Sequence, residues 1–213
     1  MQGCTGRKGE YTGMILQAKQ VSFQYKENSP MILQNISFEV GEGERVGLRG
    51  KSGIGKTTLC RLLAGYEKPR SGEILLDGRP ITDYRGYCPV QMVWQHPEQA
   101  VNPRRRMHTV LEEGDGITED IIKGLGIEEA WKMRFPAELS GGEQQRFCIA
   151  RALGRGTRIL LADEISTMLD LITQSQIWNF LLEEAKRRNL GMVVVSHSDD
   201  LLERVCTRIV EIG

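Results

Sequence analysis

Hydrophobic and polar residues alternate along the first patterned stretch of the chain, residues 15–40. Val21, Phe23 and Tyr25 are separated by single polar residues, and a second alternating run follows a polar stretch at residues 27–30. A period of two is typical of half-buried β-strands. The pattern therefore predicts strands in this stretch, joined by a turn.

Beyond residue 40, short strand-like segments alternate with longer segments of helical period. Residues 45–48, 159–162 and 192–195 read as strands, and the last two are entirely apolar. Residues 143–154 and 171–188 read as helices, because their apolar positions recur every three or four residues. Strands buried on both faces and separated by helices are typical of a parallel sheet. The chain is therefore predicted to have an α/β fold with a mostly parallel sheet.

Two segments lack this clear pattern. The middle of the chain has weak periodicity and many polar residues, which indicates a helical subdomain of roughly residues 96–150 inserted into the α/β core. Residues 1–14 are polar and contain no apolar core, so they are not typical of a secretory signal. They are predicted to form a disordered tail ahead of a domain over residues 15–213.

The bulk composition excludes several classes of function. The 213 residues include 28 Lys and Arg and 28 Asp and Glu, for a net charge of +0, which argues against nucleic-acid binding through a basic surface. No run approaches the roughly 18 apolar residues that span a bilayer. The 5 cysteines form no CxxC pair, so neither a disulfide framework nor a zinc site is expected, and a reducing cytoplasm is the simplest setting.

A phosphate-binding loop is the strongest motif. Residues 50–57 read Gly-Lys-Ser-Gly-Ile-Gly-Lys-Thr and match G-x-x-x-x-G-K-[ST] between a predicted strand and helix. Glycines let successive N–H groups converge on one anion, and the helix adds the positive end of its dipole. The Lys56 ammonium suits the β- and γ-phosphates, and the Thr57 hydroxyl suits Mg²⁺. The predicted phosphate-binding residues are Gly50, Lys51, Ser52, Gly53, Ile54, Gly55, Lys56, Thr57 and Thr58.

Two carboxylates, Asp163 and Glu164, follow the apolar strand at residues 159–162. Ligands of α/β sheets bind at the carboxyl ends of the strands, so both acids are expected at the edge that carries the phosphate loop. Asp163 suits Mg²⁺, and Glu164 suits the orientation and deprotonation of an attacking water. Alone, such a pair is also typical of a solvated strand end; beside a phosphate loop it predicts a hydrolytic site.

Residues 139–146 read Leu-Ser-Gly-Gly-Glu-Gln-Gln-Arg and resemble the signature motif of ABC ATPases, LSGGQ followed by Q-R. With the phosphate loop and the acidic pair in the family's order, the chain is similar to this family over nearly its whole length. The resemblance implies an ABC ATPase domain over residues 15–213. This domain would have a P-loop NTPase core, an N-terminal antiparallel β subdomain and an inserted α-helical subdomain. The cofactors it implies are ATP and Mg²⁺.

Four further positions match motifs of the family. Tyr25 matches the aromatic residue that stacks on adenine, and Gln95 matches the glutamine that contacts Mg²⁺ and couples the site to a membrane partner. His197 matches the histidine that touches the γ-phosphate, and Asp170 matches the aspartate at the dimer seam. Without the resemblance, they would be read as a packed strand residue, a turn residue, a structural histidine and a helix N-cap. The resemblance thus implies catalytic roles for Glu164, Gln95 and His197.

The signature residues precede a predicted helix, so N–H groups, a hydroxyl and the helix dipole can meet a phosphate there. In the family, this motif faces the nucleotide held by the opposite subunit. The resemblance therefore implies a homo- or heterodimer that closes on ATP and opens after hydrolysis. The residues implied to act across the dimer are Ser140, Gly141, Gly142 and Glu143.

The segment at residues 89–104, PVQMVWQHPEQAVNPR, resembles that of importers for dipeptides, oligopeptides and nickel. The resemblance implies an importer motor, peripheral at the cytoplasmic face of the cell membrane. Its implied partners are a second ATPase subunit, integral membrane permease subunits and, through them, a solute-binding protein, with no nucleic acid. A soluble ABC ATPase without a transport role is the alternative. An inactive regulatory partner is disfavoured by the intact Lys56, Asp163, Glu164 and His197.

Two features depart from the family pattern. Ile165 stands where the family's D-E-P-T sequence has proline, and it is expected to loosen this loop without removing a catalytic group. The helical subdomain is short and rich in glycine, which sets its permease-facing surface apart from that of its relatives. Its glycines are Gly114, Gly116, Gly124 and Gly126.

Overall fold

Two β-sheets form the framework of the chain over residues 15–167 and 169–212, which the computed structural model describes. The predicted disordered tail at residues 1–14 lies outside the described residues. In chain order the elements are β1 (Ile15–Phe23), β2 (Leu33–Gly41), β3 (Arg45–Arg49), α1 (Lys56–Leu63), β4 (Ser71–Leu76), β5 (Arg79–Pro80), β6 (Val90–Val93), α2 (His108–Glu112), α3 (Glu119–Gly124), α4 (Glu129–Lys132), α5 (Gly141–Ala152), β7 (Ile159–Asp163), α6 (Leu171–Arg188), β8 (Gly191–Val195), α7 (Asp199–Val205) and β9 (Arg208–Glu211). Short 3₁₀ turns occur at Ile81–Asp83, Pro97–Gln99 and Pro136–Glu138.

The larger sheet is parallel throughout, with strand order β6-β7-β8-β3-β9. Alternate residues of its central strands enter different apolar cores. Leu160 and Val194 belong to the core with α5 and α6, whereas Leu161 and Val193 belong to the core with α1 and the smaller sheet. A strand buried on both faces needs apolar residues at consecutive positions, which explains the apolar runs. The predicted α/β fold with a parallel sheet is confirmed.

The smaller sheet is antiparallel, with strand order β2-β1-β4-β5. Its buried residues pack on the same core as α1, so it lies over the phosphate-binding side of the parallel sheet. In this sheet β4 pairs with β1, although the two strands are distant in sequence. The chain crosses into the parallel sheet at β3 and returns to the antiparallel sheet at β4.

The segment from the turn at Pro97–Gln99 to the end of α5 contains only helical elements among its described residues. The helices α2, α3 and α4 have 5, 6 and 4 residues, too few to be stable alone. The helix α2 packs on α5, whose Phe147 is 0% exposed, and Ile121 and Ile122 of α3 belong to the same apolar core. Gly124 allows close contact with α6, because a Cβ there would overlap the present position of the Phe180 ring.

The strands β6 and β9 and the helix α7 are absent from the sequence-based prediction. Each of the two strands has 4 residues and lies at an edge of the parallel sheet. Their strand conformation comes from parallel pairing with β7 and β3 at the two edges of the sheet.

Among the described helices, none has both the length and the apolarity that crossing a membrane requires.

Candidate functional site

The phosphate loop connects β3 to α1 and is held in its curled form by glycine. Gly53 and Gly55 have φ angles of 78° and 107°, in the left-handed region that favours glycine. A Cβ at Gly55 would also come within 2.8 Å of the Leu33 side chain. The first N–H groups of α1 have no partner within the helix, so they face the loop interior as donors for an anion.

Lys56 directs its ammonium into this loop. Its side chain is 5% exposed, and Nζ donates hydrogen bonds to the carbonyl oxygens of Gly50 at 2.7 Å and Lys51 at 3.1 Å. These carbonyls satisfy the charge only in part, because an ammonium has three donors. A phosphate entering the loop would meet this preplaced positive charge.

Asp163 ends β7 directly beneath the loop. The Thr57 hydroxyl donates to Asp163 Oδ1 at 3.2 Å, and the aspartate is 2% exposed. Burial raises the pKa of Asp163, the nearby charge of Glu164 adds to the rise, and the Thr57 hydrogen bond opposes it. A hydroxyl and a carboxylate oxygen beside a phosphate loop are the ligand types that Mg²⁺ prefers, so these residues fit that ion.

Two side chains that follow other strands of the parallel sheet contact the Glu164 carboxylate. Gln95 Nε2 donates to Glu164 Oε2 at 2.9 Å, and His197 Nε2 lies 2.8 Å from Glu164 Oε1. Glu164 has a φ angle of 53°, an uncommon left-handed conformation for a residue with a side chain. Its N–H donates to the Val195 carbonyl at 3.0 Å, which holds this conformation in place.

Tyr25 forms one wall of the same site, although it lies on the antiparallel sheet side. Its hydroxyl is 3.3 Å from Thr58 Oγ1, and its ring meets Phe23 edge-on at 4.9 Å. The residue remains 49% exposed, so one face of the ring is free to stack on a planar ligand.

Most of these groups line one cavity of about 490 Å³. It brings together the phosphate loop, Tyr25 and the side chains of Gln95, Glu164 and His197, and adds Ile32, which the sequence did not select. Asp163 is not among the lining residues and is connected to the cavity through its hydrogen bond with Thr57. The remaining predicted phosphate-loop residues Gly50, Lys51 and Ile54 are not among the lining residues, although the carbonyls of Gly50 and Lys51 contact Lys56. The cavity is lined by Tyr25, Ile32, Ser52, Gly53, Gly55, Lys56, Thr57, Thr58, Gln95, Glu164 and His197.

The signature motif lies elsewhere, at the start of α5. The Ser140 hydroxyl accepts the Glu143 N–H at 3.2 Å, and Glu143 Oε2 accepts the Ser140 N–H at 2.7 Å. This capping box fixes the helix start and leaves the Ser140 hydroxyl proton available for a ligand. The surrounding cavity measures about 440 Å³ and shares no residue with the phosphate cavity. It is lined by Trp131, Ser140, Gly141, Gly142, Glu143, Arg146, Leu169, Asp170 and Thr173.

Asp170 is the N-cap of α6. Its Oδ1 accepts the N–H groups of Ile172 and Thr173, each at 3.0 Å. These hydrogen bonds, with that from Thr173 foremost, lower the pKa of Asp170. Asp170 therefore caps α6 and also lines the signature cavity, so the two interpretations of this residue are compatible. Ile165, in the same loop, is buried and packs in the core.

Sequence reasoning did not select Trp131, Arg146 or Thr173, which complete the signature cavity. Arg146 ends the signature motif and Thr173 lies in the helix turn that Asp170 caps, so both are adjacent in sequence to residues that were selected. His96 and His108 contact Glu98 and the Lys132 carbonyl, outside both cavities.

Comparisons with known proteins agree with this geometry. A family model described as ABC transporter matches residues 33–167, more than half of the chain. The nickel import ATP-binding protein NikE of Rhodospirillum rubrum is 35% identical over 210 residues, which covers 90% of this chain and 76% of that protein. The methionine import ATP-binding protein MetN of Geobacillus kaustophilus is 33% identical over 205 residues, which covers 88% of this chain and 59% of that protein.

A solved structure shows the same architecture. The dimeric ATP-binding cassette MJ0796, in a post-hydrolysis state bound to ADP and Pi, matches with a TM-score of 0.78 and 26% identity. The match covers 93% of this chain and 94% of that chain. The chain belongs to the ABC transporter family of ATP-binding proteins and is an ATPase.

Proposed function

We propose that this ATPase powers import across a membrane as the nucleotide-binding subunit of an ABC importer, with nickel or peptides as the candidate cargo. The observation that carries the proposal is the convergence of Gln95, Glu164 and His197 beside the phosphate loop. The similar NikE and MetN proteins are named for nickel and methionine import, which supports the importer class.

In this proposal ATP binds with its triphosphate in the loop and its adenine on Tyr25. Lys56 exchanges its carbonyl partners for β- and γ-phosphate oxygens, and the N–H groups at the start of α1 donate to the same oxygens. The exposed face of Tyr25 stacks on the base, while its other contacts hold the ring in place.

The proposed magnesium ligands are Thr57 and Asp163, with Gln95 close to the same side of the cavity. When bound with ATP, Mg²⁺ would neutralise charge on the β- and γ-phosphates. The protein's part is to present oxygen ligands at the strand end. The hydrogen bond between Thr57 and Asp163 already holds these two groups within reach of each other.

Glu164 is proposed as the general base. Its carboxylate accepts the proton of the attacking water, whose oxygen bonds to the γ-phosphorus as the bond to the β-phosphate oxygen breaks. Gln95 and His197 hold this carboxylate before nucleotide binds. In the loaded site, His197 donates to the γ-phosphate and Gln95 orients the water.

The signature residues are proposed to act on ATP bound to a second subunit. The two cavities of one chain share no lining residue, which supports action of the signature residues on a nucleotide bound elsewhere. The free Ser140 hydroxyl proton and the first N–H groups of α5 would donate to the γ-phosphate held by the partner subunit. Asp170 would then lie at the seam of this dimer.

The permease partner is proposed to contact a groove of about 490 Å³ beside the Gln95 segment, lined in part by Tyr66, Tyr87, Trp94 and Arg151. Because Trp94 precedes Gln95, movement of this segment connects the groove to the hydrolytic site. The subunit would then lie at the cytoplasmic face of the membrane, and the permease would connect it to a solute-binding protein.

Purification of the tagged chain from its own cells, after mild solubilisation of the membranes, tests the transport role. We expect recovery of permease subunits with the chain, and ATP hydrolysis that rises when the complex is in lipid and its solute-binding protein is loaded. Recovery with soluble enzymes or ribosomes, and with no integral membrane protein, would reject transport in favour of a soluble ABC ATPase.

A further inference from the structure

Arg61 connects the nucleotide cavity to the segment that carries Gln95. It lies in α1, five positions after Lys56, and it is half-buried. Its Nη1 donates a hydrogen bond to the Tyr25 hydroxyl at 3.3 Å. The Cζ atom of the same guanidinium lies 5.0 Å from the ring centroid of Trp94. One side chain therefore contacts both the aromatic wall of the cavity and the residue before Gln95.

Trp94 is fixed from other directions as well. Its ring lies 5.3 Å from the Tyr66 ring, measured between centroids and tilted by 45°. Its carbonyl oxygen accepts a hydrogen bond from Gln145 Nε2 at 3.1 Å, and Gln145 is buried in α5, the helix that begins at the signature motif. The position of Gln95 thus depends on contacts from α1 and α5.

The chemistry of arginine suits this arrangement. A guanidinium donates hydrogen bonds in its plane and stacks with its face on an aromatic ring, whereas an ammonium is a point charge. Arg61 forms no ion pair with any carboxylate of the described chain, and its buried Nε has no hydrogen-bond partner there. The contacts to Tyr25 and Trp94, together with the nearby charge of Asp163, therefore account for its orientation.

We propose that Arg61 is a positioning residue that links occupancy of Tyr25 to the placement of Gln95 against Glu164. A base stacked on Tyr25 restricts its hydroxyl, the hydroxyl holds the guanidinium, and the guanidinium holds Trp94 and the Gln95 that follows. The inference rests on the proposed roles of Tyr25 and Gln95 and adds a route between them. ATP binding would then prepare the hydrolytic groups through a path separate from the phosphates.

The test compares Arg61→Leu with Arg61→Lys and with Arg70→Leu, a control at an exposed arginine. For Arg61→Leu we expect kcat to fall about tenfold while the ATP dissociation constant changes by less than about threefold. Arg61→Lys should recover only part of kcat, because it keeps the charge and loses the planar geometry. Arg70→Leu should match the wild-type chain.

Tryptophan fluorescence supplies a readout that general loss of structure would not mimic. The chain has 3 tryptophans, so the Trp94→Phe variant identifies the part of the signal that comes from Trp94. We expect ATP to change the Trp94 emission of the wild-type chain, and this change to disappear in Arg61→Leu while the fold is retained by circular dichroism. A retained Trp94 response, or an unchanged kcat, in Arg61→Leu would overturn the proposal.

Tyr25→Phe provides a second route if Arg61→Leu fails to fold, because it removes only the hydroxyl that Arg61 contacts. We expect a smaller Trp94 response to ATP and a lower kcat; a full response in a folded Tyr25→Phe chain would also overturn the link. If the wild-type chain neither bound nor hydrolysed ATP, the proposed function itself would fail. If it did both and the variants behaved like it, only the Arg61 link would fail.

Discussion

Replacing Glu164 by Gln isolates the chemical role of the proposed base, because the change removes one charge and keeps the shape. In the wild-type site the carboxylate contacts Gln95 Nε2 at 2.9 Å and His197 Nε2 at 2.8 Å. The amide oxygen of the introduced side chain can still accept one of these contacts. Its amide nitrogen must then face the second partner. His197 can be that partner, because its Nε2 accepts the amide N–H when the ring proton is on Nδ1.

The size of the expected effect follows from what is lost. Proton acceptance by a positioned base contributes about 10²- to 10⁴-fold, so kcat should fall at least about 100-fold, equivalent to about 2.7 kcal/mol. ATP binding should be retained or tightened, since one negative charge beside the γ-phosphate disappears and the Lys56 and Thr57 contacts remain. The variant should therefore accumulate as an ATP-bound dimer.

Single-turnover hydrolysis, equilibrium ATP binding and size-exclusion chromatography with and without ATP measure the three consequences of Glu164→Gln separately. Glu112→Gln is the matched control, since this glutamate is exposed at the end of α2, and it should behave as the wild-type chain. Turnover of Glu164→Gln within a few-fold of wild type would refute Glu164 as the base. Loss of ATP binding with slow turnover would instead show that the residue supports the site's structure.

Three further changes test phosphate binding by Lys56, the action of the signature residues across a dimer, and the apolar core around Phe147. Lys56→Ala should weaken ATP binding about 10- to 100-fold in equilibrium titrations, because it removes charge-assisted hydrogen bonds to phosphate. Unchanged affinity would contradict the role of Lys56 in phosphate binding. Gly142→Asp should abolish turnover by adding a carboxylate and crowding Leu169, 2.9 Å from the new Cβ. If the chain forms dimers with itself, mixing the Gly142→Asp and Lys56→Ala variants should restore hydrolysis. In a mixed dimer, one site combines the intact Lys56 of one chain with the intact Gly142 of the other. No recovery would contradict action across the dimer. Phe147→Ala should lower the free energy of unfolding by about 3–5 kcal/mol in denaturant titrations, because Phe147 is 0% exposed. The control Phe135→Ala, at a 36% exposed position, should lower it by less than about 1 kcal/mol. Equal losses would contradict the placement of Phe147 in the core.

The parts of the fold that the sequence predicted are those whose pattern is complete within one element. The strands β7 and β8 are buried at every position because both faces are covered, so a single apolar segment carries the information. The phosphate loop is equally local, since its glycines, Lys56 and Thr57 lie within one short segment. Such features need no knowledge of which strands are neighbours.

Contacts across elements depended on the order of strands, which the local pattern does not specify. Gln95 and Glu164 are brought together because β6 and β7 are adjacent, and His197 joins them because β8 follows β7 in the sheet. Family resemblance supplied Gln95 and His197, and the acidic pair after an apolar strand supplied Glu164, but neither predicted the contacts among them. The link through Arg61 was missed for the same reason, since Tyr25 and Trp94 belong to segments that meet α1 from different sheets.

The internal contacts of the two cavities indicate how binding energy would be used. In the structure, Lys56 contacts loop carbonyls and Glu164 contacts Gln95 and His197, so the charges of the phosphate cavity are partly satisfied within the chain. At the signature cavity, by contrast, the capping box leaves the Ser140 hydroxyl proton free. Phosphate binding in one chain must therefore exchange existing contacts, whereas closure by a second chain adds new donors to the same phosphate. In the proposed dimer, the additional stabilisation would exist only in the closed state and would end when the γ-phosphate leaves, so that ATP would be both the substrate and the ligand that joins the subunits.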